Sequence, residues 1–313
     1  MALEQMNLAV ALQNPILNGE TNFFALQQHV RKLEGDHVTH SVIRSNTGCG
    51  PSVSFQDGLK QYRSCRKATE KMSYGVNITP PTSGATPAQI VEFAKACVGC
   101  GTRLDFFLLQ PPLQEPGMAH RDTTEATNRL RIVLRALKDG GLKIPILLYD
   151  YAKIEYGKLR QVPMDAGVVE VLRPDFPDLV GLKYTNDDVT KLESYLKIPE
   201  FFVYTGHPAL TLVGQQKEKK AKGVISGEAG IDPKWFMRVL QERGEPAVGQ
   251  FYIDIITNAL KSIGGHPVAA MQLILSQKHE GYPADTLWPD AELPDVKSGV
   301  LLAQALFKCL DAV

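Results

Sequence analysis

At 313 residues the chain can form one large α/β domain or two ordinary ones, with a full apolar core. Its 34 Lys and Arg cancel its 34 Asp and Glu, so charge gives no reason to expect nucleic acid or a membrane surface as a partner. No apolar stretch approaches the roughly 20 residues of a membrane span, and the N-terminus lacks the basic start and apolar run of a signal peptide, so a cytoplasmic location is expected.

Taken in order, Leu8 to Leu12 is a compact apolar run that stops at Gln13-Asn14-Pro15 and predicts a first strand. Asn22 to Leu33 follows with a helical apolar face, then a strand over Val38 to Ile43 and a loop of small and hydroxyl residues from Ser45 to Gly50. Leu59 to Met72 predicts a helix and Tyr74 to Ile78 a strand. Thr86-Pro87 opens the next helix with a hydroxyl cap and a proline at its first position. Asp105 to Leu109 reads as a strand that breaks at Gln110-Pro111-Pro112, Thr123 to Lys138 as a helix, Pro145 to Tyr149 as a strand and Ala166 to Leu172 as a helix.

The next stretch, Asp178 to Thr185, is a short apolar run that ends in Lys183 and polar residues. It predicts a buried strand whose C-terminal end opens into solvent or a pocket. In a pocket, desolvation disfavours the ammonium, and the neutral amine is a nucleophile for carbonyl carbon. A helix over Asp188 to Lys197, a strand over Phe201 to Tyr204, a helix over Ala209 to Lys220 and a strand over Gly223 to Ser226 follow. Asp232-Pro233 starts a helix over Lys234 to Glu242, and the remaining chain reads as helices over Gln250 to Ile263, Pro267 to Leu275 and Val296 to Leu310.

This makes eight strand candidates, each followed by a helix candidate. Such alternation predicts a parallel sheet, and eight units in about 240 residues suit a (β/α)8 barrel. The expected division is a catalytic barrel over residues 1–245 and a helical extension over 246–313 packed on it. A doubly wound open sheet is the alternative, but no G-x-G-x-x-G follows the first strand.

The five cysteines, Cys49, Cys65, Cys97, Cys100 and Cys309, are an odd number and predict reduced thiols. Cys97-Val98-Gly99-Cys100 falls at a helix end with no second pair, so packing is expected there rather than redox or zinc chemistry. No cluster of histidines and carboxylates marks a metal site, and no cofactor is expected.

In a (β/α)8 barrel the active site lies at the C-terminal ends of the strands. There the sequence puts Asn46, Thr47 and Gly48, then Asn77 and Thr79, Gln110, Tyr149, Lys183, Thr205 and Gly206, and Ser226 and Gly227. A lysine and a tyrosine on adjacent strands can share one substrate atom. The lysine condenses with a ketone to create an electron sink, and the phenol shuttles the proton. The hydroxyl of Thr47 and the N–H groups of its loop suit a carboxylate. His207 and His266, each before a proline, read as loop residues.

These residues resemble the dihydrodipicolinate synthase / N-acetylneuraminate lyase family of Schiff-base aldolases. Gly181-Leu182-Lys183-Tyr184-Thr185 is similar to its lysine motif, and Ile146-Leu147-Leu148-Tyr149-Asp150 to its tyrosine strand. Asn46-Thr47-Gly48 lies where the family holds the carboxylate of pyruvate, Thr205-Gly206-His207 resembles its Ser-Gly-Asp segment, and Gly223-Val224-Ile225-Ser226 its Gly-Val-Ile-Ser strand. The resemblance implies a Schiff base on Lys183, acid/base work by Tyr149, and substrate binding by Asn46, Thr47, Gly48, Gly206 and Ile225. It also implies pyruvate or another 2-oxo acid with an aldehyde as partners, no cofactor, and a tetramer or dimer.

The departures from the family pattern are specific. Cys49 replaces its glutamate, Gln110-Pro111-Pro112-Leu113 its tyrosine pair, and Tyr151 to Glu155 contains no arginine. Lys153 is a point charge without the bidentate fork of that arginine. Lysine biosynthesis is therefore disfavoured relative to an aldolase on another 2-oxo acid. A sugar-acid dehydratase using the same imine, and a 2-oxo acid-binding homologue without turnover, are the alternatives.

Overall fold

The computed structural model describes residues 2–81, 84–101, 103–111, 113–114, 123–151, 155–156, 159–206, 221–241, 246–264, 266–283 and 295–311. Eight strands close into one barrel in chain order: β1 (Leu8–Ala11), β2 (His40–Ile43), β3 (Ser73–Asn77), β4 (Leu104–Leu109), β5 (Ile146–Asp150), β6 (Leu179–Tyr184), β7 (Phe202–Thr205) and β8 (Gly223–Ser226). Every pairing is parallel, and β8 closes on β1 with Ala9 opposite Ile225.

The helices α1 (Phe23–Gly35), α2 (Phe55–Ala68), α3 (Pro87–Gly99), α4 (Thr123–Asp139), α5 (Ala166–Leu172) and α6 (Val189–Leu196) fill six of the crossovers, and α7 (Pro233–Gln241) follows β8. The predicted helix over Ala209 to Lys220 lies outside the described residues. Three C-terminal helices, α8 (Pro246–Ile263), α9 (Pro267–Lys278) and α10 (Val296–Asp311), pack on one another. The protein is a (β/α)8 barrel with a C-terminal helical extension, as the alternation predicts.

Local chemistry sets the helix starts. Asn22, Ser54, Thr86, Asp165 and Asp188 each accept a hydrogen bond from an N–H of the first turn, and Thr86 with Gln89 closes a full capping box. The second helix begins at Phe55 rather than Leu59. Ser54 caps this start, and within the helix Gly58 lies against the stem of Arg44. That buried guanidinium bonds the carbonyls of Gly50, Val53, Asn77 and Thr79 and stacks near Phe55, which ties the β2 loop to the end of β3.

Strand alternation divides the barrel's core into an outer and an inner part. Outward residues such as Val10, Val76, Leu148 and Val224 pack on the helices. Inward residues Ala9, Val42, Phe106, Leu147, Tyr149, Tyr204 and Ile225 fill the barrel. Leu3 and Met6, beside the N-terminal turn Ala2–Gln5, belong to this inner group, and Tyr204 donates to Leu3 O at 2.9 Å. No pattern in the sequence marks this N-terminal turn. Nor does one mark the hairpin Ile16–Leu17/Glu20–Thr21 or a small antiparallel sheet joining Leu113–Gln114, Leu159–Gln161 and Glu155–Tyr156, since strands of two or three residues carry no periodicity.

Two buried polar groups make the fold sensitive to change. Asp150, fully buried on the outer face of β5, is held by Lys191 Nζ (2.7 Å), Tyr195 Oη (2.8 Å) and Asn186 Nδ2 (3.1 Å). Burial still pushes its carboxyl above the usual range against the pull of Lys191. His29 on α1 is also buried, with its Nδ1 3.3 Å from Nε2 of His279 just beyond α9. Burial, and then His279, holds His29 well below its ordinary value; burial and Lys278 take His279 down to about 4.

Lys191→Met leaves the Asp150 carboxylate unpaired and should cost on the order of 3 kcal/mol in denaturant titrations. The histidine pair predicts a pH dependence. Unfolded histidines titrate near pH 6.5, and the folded ones only further down. Between those values the unfolded chain binds more protons. Stability is therefore complete above about pH 6.5 and falls as pH drops toward 4, with His29 contributing at most about 1.4 kcal/mol per pH unit. Urea midpoints measured from neutral to acidic pH should show this slope, and His29→Gln should flatten it.

Candidate active site

Parallel pairing of β5 with β6 puts Lys183 directly opposite Tyr149, and pairing of β6 with β7 puts Tyr204 on its other side. All three project into the barrel, with Lys183 only 4 % exposed. Its Nζ lies over the Tyr149 ring, 4.3 Å from the centroid. Room for the lysine stem comes from Gly206, just past β7. A side chain at Gly206 would meet Lys183 Cε at 2.7 Å, Ile225 O at 3.0 Å and the Thr185 hydroxyl closer still.

Electrostatics follows from this enclosure. Burial lowers the Lys183 amine to about 8, opposed by the negative charge of Glu228. About a tenth of the amine is then neutral at pH 7, several hundred times more than for an ordinary lysine. The Tyr149 phenol moves the other way: burial, then Tyr151, holds it well above 10, against a small pull from the nearby Thr185 hydroxyl. The Tyr151 ring stacks on that of Tyr149 with centroids 5.9 Å apart. The pair thus combines a lysine that deprotonates readily and a phenol that keeps its proton.

Above β2, Asn46–Gly48 forms a tight 3-10 turn capped by Ser45. Thr47 Oγ1 donates to Ala11 O at the end of β1, 3.0 Å away, and the Gly48 N–H donates to the Ser45 hydroxyl of its own loop at 3.0 Å. Asn46 Nδ2 donates to Gln110 Oε1 at 3.1 Å, leaving Asn46 Oδ1 and Gln110 Nε2 without partners among the described residues. Buried orphans of this kind cost about 1–3 kcal/mol each and suit a ligand or water atom. Cys49, which follows the turn, is buried with φ +57°.

The structure therefore brings Lys183, Tyr149, Gly206 and Ile225 together, while Asn46, Thr47 and Gly48 form the adjoining β2 loop. His207 and Lys153 lie outside the described residues. His266 caps α9 by accepting the Val268 N–H at 3.2 Å, the loop role expected for it. Cys65 and Cys97 are buried thiols pushed up by desolvation, and Cys49, Cys65, Cys97 and Cys100 form no disulfide. Among the described residues no three His, Cys, Asp or Glu side chains gather as a metal site, and no helix is long and apolar enough to cross a membrane. Glu228, two residues beyond β8, was missed in the sequence reading. Its position past a strand end was the signal available.

No protein-family model matches the chain, and no curated protein matches it. Many solved structures do. The sialic acid aldolase of Ruminococcus gnavus is 15 % identical with a TM-score of 0.78, covering 98 % of this chain and 99 % of that one. The 2-keto-3-deoxygluconate aldolase of Sulfolobus sulfataricus, complexed with D-KDPG, is 14 % identical with a TM-score of 0.77 over 98 % and 97 %. A prophage protein of the dihydrodipicolinic acid synthase family from E. coli, complexed with pyruvate, is 13 % identical with a TM-score of 0.77 over 96 % and 97 %. At these identities the likeness establishes a shared fold across the whole chain.

The lowered amine gives a direct test. Labelling with an amine-directed reagent, read by peptide mass spectrometry, should modify Lys183 with a midpoint near pH 8, against about 10.5 for surface lysines.

Proposed function

We propose that this protein is a class I aldolase-type lyase of the dihydrodipicolinate synthase / N-acetylneuraminate lyase family, which holds pyruvate or another 2-oxo acid as a Schiff base on Lys183. The observation that carries this reading is a buried lysine of lowered basicity in register with a buried tyrosine, at the C-terminal end of a (β/α)8 barrel. The solved structures of like fold support it, among them two aldolases and a pyruvate complex.

In this reading the neutral Lys183 amine attacks the ketone carbon, and water leaves as the C=N bond forms. The iminium draws electrons from the neighbouring C–C bond. In the cleavage direction that bond breaks, its electron pair forms the enamine, and the acceptor leaves as an aldehyde after its hydroxyl loses a proton. The Tyr149 phenol, protonated throughout the neutral range, serves as donor and relay for protons at the carbonyl oxygen and the acceptor. Asn46 and Thr47 line the position for the substrate carboxylate, and Gly206 and Ile225 shape the space around the lysine.

A second reading, a 2-oxo acid-binding protein without turnover, is favoured by one observation: Thr47 Oγ1 and the Gly48 N–H already donate within the protein, to Ala11 O and the Ser45 hydroxyl. Borohydride added with pyruvate separates neither enzyme from binder but tests the imine itself. It should reduce a covalent adduct onto Lys183, visible by mass spectrometry, and an unmodified Lys183 refutes the Schiff base. Turnover of pyruvate with a panel of aldehydes, abolished by Lys183→Ala, decides between the two readings.

A further inference from the structure

The Tyr149 phenol is a poor base, because its burial holds the proton in place. Its ring faces the Lys183 ammonium, with the cation over the centroid. Imine chemistry on pyruvate nonetheless needs a group that accepts a proton from the methyl carbon. In strand register the neighbours of Lys183 inside the barrel are the phenols of Tyr149 and Tyr204.

Glu228 supplies what is missing. It begins the one-turn 3-10 helix Glu228–Gly230 directly beyond β8 and is half-buried. Its carboxylate accepts the Ser226 hydroxyl, and its own N–H donates back to Ser226 Oγ at 3.1 Å, so the side chain is held by a closed local ring. Two neighbours fix the loop. Gln13 Nε2 donates to Gly227 O at 3.0 Å, and the absence of a side chain on Gly227 lets Thr47 approach, since a Cβ there would meet Thr47 Cγ2 at 2.5 Å. The carboxylate is thus built into the junction of the β1, β2 and β8 loops. Among the described residues it is the charged side chain that acts on Lys183, and it acts on Tyr149 and Tyr151 as well.

We propose that the Glu228 carboxylate is a proton acceptor of this site, taking a proton from the methyl carbon of pyruvate bound as an iminium on Lys183. The C–H bond breaks, and its electron pair forms the new C=C bond. The C=N π pair moves onto nitrogen, giving the neutral enamine, and the proton rests on Glu228 before exchange with water. In reverse, the same acid returns a proton to the enamine carbon. This inference rests on the Schiff-base reading above.

The test needs no acceptor aldehyde. In deuterated water at saturating pyruvate, with the lysine engaged as imine, NMR follows exchange of the methyl protons. Glu228→Gln keeps an oxygen for the Ser226 hydroxyl and should preserve the fold. It should slow exchange about 100-fold, while borohydride still traps pyruvate on Lys183. Glu228→Asp should recover part of the rate. Loss of the nearby anion should also move the Lys183 labelling midpoint below its value of about 8. Exchange by Glu228→Gln within about threefold of the native rate overturns the proposal. Failure of the native protein to trap pyruvate at Lys183 overturns the Schiff-base reading, and this inference with it.

Discussion

One constraint governs the site: an ammonium is held inside a closed barrel where water cannot solvate it. The Lys183 stem is gripped between Tyr149 and Tyr204 in strand register, and Gly206 clears the space it occupies. The enclosure penalises the charged form and brings the amine down to about 8. The ring face of Tyr149 returns part of that penalty through its quadrupole. The same burial drives the phenol in the opposite direction. A single environment therefore yields one nucleophile and one proton reservoir, and their register on neighbouring strands ensures that they meet.

The barrel wall around this pair is anchored from outside. Strand alternation sends Tyr149 inward and Asp150 outward, and the Asp150 carboxylate is clasped by Asn186, Lys191 and Tyr195. This contact ties the end of β5 to the segment after β6 at the level of the lysine. On the opposite side, Arg44 spends its guanidinium on backbone carbonyls of the β2 and β3 ends. The loop that carries Asn46 and Thr47 is thereby held as a rigid turn. Charge in both places is committed to holding loops, which leaves Lys183 and Glu228 as the charged pair linked across the mouth among the described residues.

The departures from the aldolase pattern acquire a physical meaning in this frame. Asn46 and Gln110 form a buried amide pair with one acceptor and one donor unspent. Amides position polar groups well but carry protons poorly, so a proton relay through them is not available. A carboxylate on the β8 loop supplies proton-accepting capacity from a different wall of the same site. Cys49, buried at positive φ after the β2 turn, contributes shape to the loop in the place where the pattern has a glutamate.

Much of this was legible in the sequence because it depends on local patterns. Apolar runs of strand length alternating with capped amphipathic segments dictate the (β/α)8 order, and the cap at Thr86 and the strand over Gly223 to Ser226 appear where the residues predict them. Lys183 and Tyr149 stood out because each lies at the end of an apolar strand, and the resemblance to the aldolase motifs is what suggested roles for them. Other features come from contacts between distant segments. Arg44 ties the β2 loop to the end of β3, and Leu3 and Met6 reach the barrel interior only because the strands close over them. Glu228 reads in sequence as an ordinary loop carboxylate. Only the closure of β8 onto β1, with Gln13 and Thr47 against its loop, brings its charge within electrostatic reach of the lysine, because such coupling depends on distance in space and not along the chain.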